Sequence, residues 1–251
     1  MPGTTPQYRG RMTPPERSAG AGRGYWVVAT GAVAATAGLS LAGSSAFERF
    51  LGPVPPIAVA ATAAGLGAVS LRALARHGWL PSSKTPSRRR LRRGLAWAAG
   101  AAVPLAAAAI AFDTQIPFPR DTNVPWPESV LYYPAIGFVA EVAFHLVPLA
   151  ALLSALRWRL DPDADDWRVW CAAGTVATTE AVFQTIAALS GADQRVAIFV
   201  APHLLAIGFV ELVILRRFGF VPMAAFRLVY YALWHVAWGH ARLELLFGAC
   251  G

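Results

Sequence analysis

The chain has 251 residues, 56% of them apolar and only 14% charged, and its formal net charge is +8. The apolar residues come in long runs rather than at helical or strand spacing, which excludes an ordinary soluble core and marks a polytopic membrane protein. Because the arginines and lysines sit between those runs and in alternate loops, the positive charge is explained by membrane orientation, and nucleic-acid binding is excluded as its reason.

Residues 1–24, rich in Gly, Pro, Thr and Arg, have no apolar run and read as a disordered basic arm rather than a cleaved signal peptide. Residues 25–251 read as one integral membrane domain. A spanning helix needs about 20 apolar residues. The first run, Tyr25–Ala46, holds Gly31, Ala35 and Gly38, small enough for close helix packing. The second, Val54–Ala75, begins at Pro55 and Pro56, where a missing N–H costs least. The loop "RHGWLPSSKTPSRRRLRRG" follows, and its Arg88–Arg93 run suits anionic lipid headgroups. After the third run, Gly94–Phe112, comes "DTQIPFPRDTNVPWPES", an outer spacer stiffened by four prolines, with Trp126 suited to the headgroup zone. The remaining runs are Val130–Leu156, Val169–Ser190, Val196–Leu215 and Phe220–His240, with Pro134, Pro148 and Pro202 inside the fourth and sixth. The expected fold is therefore all-α, a transmembrane bundle of about seven spanning helices. Cys171 and Cys250 fall near opposite faces and have no partner at zinc-site spacing, so neither a disulfide nor a structural metal follows from them.

Orientation follows from the loops. Arg9, Arg11, Arg17 and Arg23, then the 76–94 loop, then Arg157, Arg159 and Arg168, then Arg216 and Arg217 alternate with loops holding only Arg49, Arg120, Arg195 and Arg242. Positive residues are retained in the cytoplasm, so for a protein of the cell membrane the N-terminus is expected in the cytoplasm and the C-terminus outside.

The informative residues are ionisable ones at depth. At 1.5 Å per residue, Glu141, Glu180 and His203 fall roughly 10–16 Å below the outer boundary, with His235 shallower and Arg227 and His145 deeper. A lone carboxyl in a membrane costs at least about 2.5 kcal/mol, so residues from four helices in one slab call for mutual pairing or a shared wet cavity. Glu141 with His145, or Glu180 with Arg227, would equally serve as a structural ion pair. Glu211, one turn from Arg216 and Arg217, reads as snorkelling or paired near the inner boundary, and His240 as interfacial. Glu141 and His145 stand at i and i+4 in "FVAEVAFHLVPL", as do Glu180 and Gln184 in "TTEAVFQ", so each pair shares a helix face. Together with "FVAPH" and "LWHVAWGH", these residues fit a site in which a carboxylate takes a proton from water and imidazoles stabilise the oxyanion of an amide being hydrolysed.

The same segments resemble the CAAX-protease and bacteriocin-processing family of intramembrane proteases, to which the Rce-type prenyl proteases belong. That family is marked by Glu-Glu-x-x-x-Arg, Phe-x-x-x-His and His-x-x-x-Asn or Asp on successive helices. In "AEVAFH", Glu141 matches the second glutamate and Phe144 the usual aromatic, while Ala140 and His145 replace the first glutamate and the arginine. "FVAPH" matches the second motif literally through Phe199 and His203, whereas "VATTE" fits the spacing between motifs and puts Glu180 in the histidine position. "HVAWG" aligns His235, with Gly239 in place of the amide or carboxylate. The resemblance covers about residues 130–240 and implies hydrolysis of a membrane-bound peptide, with Glu141 activating water and His145, Glu180, His203 and His235 completing the site. It implies no cofactor, and leaves a divalent metal open. Three other readings compete with it: a divergent family member with altered or lost activity, a transport component in which the same residues relay protons or bind a cation, and a scaffold whose polar residues only hold helices together.

Overall fold

The computed structural model describes residues 19–81, 87–156, 167–191 and 193–248. Seven long helices and no strand occur among them: α1 (Ala19–Leu41), α2 (Pro56–Arg76), α3 (Arg88–Asp113), α4 (Ser129–Ala155), α5 (Trp167–Gly191), α6 (Gln194–Phe218) and α7 (Phe220–Phe247). All but α5 are long and apolar enough to cross a membrane. Helix α5 is as long, but threonines 175, 178, 179 and 185 together with Glu180 and Gln184 lower its hydropathy. Large apolar side chains such as Val27, Val69, Trp97, Val103, Phe183, Ile186 and Ile198 are exposed around the bundle, which suits a lipid surround.

Several expected boundaries shift for identifiable reasons. Helix α1 already includes residues 19–24, so only residues 1–18 of the basic arm lie outside the described residues. The Arg88–Arg93 run is the opening of α3 rather than a loop. Ser87 caps it by accepting from the Arg90 backbone N–H at 3.1 Å, and arginine is a good helix former. Helix α7 runs past His240 to Phe247 and ends at Gly248, and this carries Arg242 inside the bundle. Arg157 and Arg159 lie outside the described residues, as does Cys250, while Cys171 is an exposed free thiol.

Helices α5 and α6 lie side by side along their length, α3 packs on the first half of α7 and on α6, and α1 lies against α2 and α4. Small residues permit these approaches. On α3 the face presented to the bundle is Ala98, Ala102, Ala106 and Ala109, all buried, and on α2 it is Ala60, Ala63, Ala64 and Gly67. The Tyr25 hydroxyl of α1 donates to the Ala64 carbonyl of α2 at 2.6 Å, satisfying a polar group that the interface buries. Gly219 separates α6 from α7 at φ +96°, a left-handed backbone value that only glycine adopts without strain. That single-residue break folds α7 back along α6.

The proline-rich segment after α3 is more than a spacer. Arg242 Nε donates to Asp113 Oδ2 at 2.7 Å and Nη2 to Asp113 Oδ1 at 2.9 Å. The same guanidinium donates to the Phe118 and Pro119 carbonyls, and Trp238 Nε1 adds a 2.7 Å bond to Asp113. A fully buried ion pair thus ties the end of α3 and its following loop to α7.

Candidate functional site

Glu141 and His145 do not sit in a regular α-helix. Residues Glu141–Leu146 form a π-helical turn within α4, and Ala232–Trp238 form a second one within α7, around His235. A π turn holds one more residue than an α turn, and such turns occur frequently at functional sites.

The first π turn faces α5, α6 and α7, and four helices place charged side chains at one point. Arg227 of α7 is its centre. Its Nε donates to Glu141 Oε1 at 2.9 Å and to Glu211 Oε1 at 3.0 Å. Nη1 donates to Glu180 Oε1 at 2.8 Å, and Nη2 to Glu180 Oε2 at 2.8 Å and Glu211 Oε2 at 2.7 Å. Gln184, one turn beyond Glu180, donates to Glu180 Oε1 at 2.9 Å. All three carboxylates and the guanidinium are at most 3% exposed.

His145 is wedged among these carboxylates without a hydrogen bond. Its Nδ1 lies 3.5 Å from Glu141 Oε2 and its Nε2 lies 3.5 Å from Glu211 Oε2 and 4.0 Å from Glu180 Oε2. Neither ring nitrogen, nor Glu141 Oε2, has a hydrogen-bond partner, although all are buried. Space for the imidazole comes from Gly208 of α6, where an added Cβ would stand 2.9 Å from His145 Nε2 and 3.3 Å from the Ala177 backbone.

The electrostatics do not balance. Were all three carboxylates facing this one guanidinium ionised, with His145 neutral, the cluster would carry two uncompensated negative charges inside the helix bundle. Burying charge without compensation is expensive, and the site therefore demands bound protons or a bound cation.

The other expected site residues occupy a neighbouring layer. His203 stacks on Phe199 at 4.8 Å and its Nε2 lies 2.9 Å from the Tyr230 hydroxyl. His235 Nδ1 lies 2.7 Å from Asn123 Oδ1 in the loop after α3, and its ring stacks on Tyr133 at 4.4 Å. The link to the charge cluster is Tyr231, whose hydroxyl accepts from Arg227 Nη1 at 3.1 Å and whose ring meets His235 edge-on at 4.8 Å. Glu141, His145 and Glu180 are thus brought together, and the hydrogen bonds of His203 and His235 go elsewhere.

Glu211 is the residue that sequence reasoning misplaced. It is fully buried and bonded to Arg227, not snorkelling beside Arg216 and Arg217. Arg216 instead lies over the Trp79 and Trp170 rings, at 4.8 and 5.3 Å. A signal for the true pairing was present: Glu211 and Arg227 stand eight residues before and after Gly219, so a hairpin at that glycine puts them at one depth.

Comparison with family models, with curated proteins and with solved structures found no match to this chain. The family resemblance therefore rests on the motif residues alone.

Proposed function

We propose that the chain is an integral membrane hydrolase, a divergent relative of the CAAX-protease and bacteriocin-processing enzymes, that cleaves a membrane-associated peptide with water activated at the Glu141 and His145 cluster. The observation that supports it best is the unmatched chemistry of the cluster. A purely structural ion pair has no use for two surplus carboxylates, or for an imidazole left without hydrogen bonds among them.

In this reading Arg227 holds Glu141 Oε1 and leaves Oε2 to take a proton from water. His145, 3.5 Å away, donates to the oxyanion or to the leaving amine. Glu180 and Glu211 position Arg227, and so act through it. The protein sits with its N-terminus in the cytoplasm and its C-terminus outside, and the exposed arginines 88, 89, 92 and 93 at the start of α3 meet anionic headgroups.

The test is hydrolysis of membrane-anchored peptides by the purified protein in liposomes. Glu141→Gln keeps shape and removes the base, so it should lower the rate by about 10²–10⁴-fold while leaving the fold intact. Retained cleavage in that variant would exclude Glu141 as the base.

A second reading, proton or cation relay, draws on a different observation: a run of polar groups from Asn123 through His235, Tyr231 and Arg227 to Glu211. Ion flux in sealed liposomes without peptide cleavage would select it.

A further inference from the structure

We infer that Glu141, His145 and Glu211 form a binding site for one divalent transition-metal cation. One oxygen from each carboxylate and one imidazole nitrogen lie within 4.8 Å of one another, and all three side chains are buried. At metal–ligand distances of 2.0–2.2 Å, tetrahedral ligands stand roughly 3.4 Å apart, so movements of about 1 Å close the site.

Three independent features point to a ligand there. Both His145 nitrogens and Glu141 Oε2 are buried without hydrogen bonds, although each can bind a metal. A divalent cation cancels the surplus charge: three carboxylates, one guanidinium and one M²⁺ sum to zero with His145 neutral, the form in which imidazole ligates. The carboxylates are also already oriented from behind, because Arg227 bonds Glu141 through Oε1 and Glu211 through both oxygens. Such outer hydrogen bonds fix ligand geometry in metal sites generally.

The donor set selects the class of ion. Two carboxylates and an imidazole suit zinc, manganese or cobalt, whereas magnesium and calcium prefer oxygen alone. Three protein ligands leave a coordination position for water, the pattern of catalytic rather than structural zinc. A metal there takes the Glu141 oxygen that the hydrolase reading uses as base, so the two assignments compete for Oε2, and metal binding is measured without any substrate.

The experiment uses the full chain expressed in medium supplemented with Zn²⁺, Mn²⁺ or Co²⁺ and purified in detergent. Elemental analysis should find one metal per chain, retained against excess Mg²⁺ or Ca²⁺, and the Co²⁺ form should show visible absorption with a nitrogen ligand. His145→Asn and Glu211→Gln should each weaken binding by more than the roughly 10–100-fold typical of losing an outer partner. His77→Asn, which changes a histidine bonded to Ser154 away from the cluster, should leave it unchanged. Should the cluster variants not fold, Gly208→Ala, whose methyl would crowd His145 Nε2, should shift the Co²⁺ spectrum, and an unshifted spectrum would overturn the site. Folded wild type with no metal, or with metal that survives His145→Asn, would overturn the site and assign the surplus charge to protons.

Discussion

Replacing Arg227 with methionine should be among the most damaging single changes outside direct chemistry. The guanidinium donates six hydrogen bonds, five to carboxylate oxygens and one to Tyr231. Methionine fills much of the volume but leaves three buried carboxylates without a counter-charge. Breaking a buried ion pair by removing one partner costs about 3–5 kcal/mol. For a chain of this size that is a fall in unfolding temperature on the order of 10 °C. Arg227→Lys keeps the charge but loses the planar fork that reaches three carboxylates at once, so it should fall between the two. Combining Arg227→Met with Glu180→Gln and Glu211→Gln should recover much of the loss, because two of the three stranded charges go with the arginine. The assay is thermal unfolding of detergent-purified protein. A cost below about 1 kcal/mol for Arg227→Met, or no recovery in the triple variant, would refute the account of the cluster as mutually dependent charges.

Gly208→Ala puts a methyl 2.9 Å from His145 Nε2 and 3.3 Å from the Ala177 backbone, so it should cost about 1–3 kcal/mol and disturb the cluster; thermal unfolding checks this. Asp113→Asn removes the charge opposite Arg242, and should make the loop after α3 a faster site of limited proteolysis than it is in the wild type. Reporter fusions should place the C-terminus outside and the 82–86 segment in the cytoplasm, and a cytoplasmic C-terminal reporter would refute the orientation.

The helical architecture was legible because apolar runs of about 20 residues have few other uses. Exact helix ends were not, since Ser87 and the arginines after it can open a helix or belong to a loop, and only the cap decides. In the site, Glu141, His145 and Glu180 were readable from their depth and i, i+4 spacing. Glu211 was hidden because sequence offered two nearer arginines, and pairing across the Gly219 hairpin is a tertiary fact. The four-helix convergence was expected to include His203 and His235, but eight residues separate His203 from Glu211 along α6, about 12 Å of rise. That puts the histidine in the layer of Tyr230 and not of Arg227. Neither π turn could be read in advance, because apolar periodicity carries no signal for one additional residue in a turn.

The polarity of α5 has a consequence for how the chain is made. A carboxylate at mid-helix adds about 2.5–3.5 kcal/mol to the energy of insertion by the translocon, and α5 brings Glu180 without a cation of its own at that depth. Its counter-charge, Arg227, is synthesised 47 residues later, after all of α6. During that interval the partly made chain holds a segment that lipid alone does not favour. Helices α5, α6 and α7 are therefore expected to settle into the bilayer as a group, and a chain truncated before Arg227 should leave α5 at the headgroups. The arginine that completes the charge cluster should then also govern how the last three helices enter the membrane.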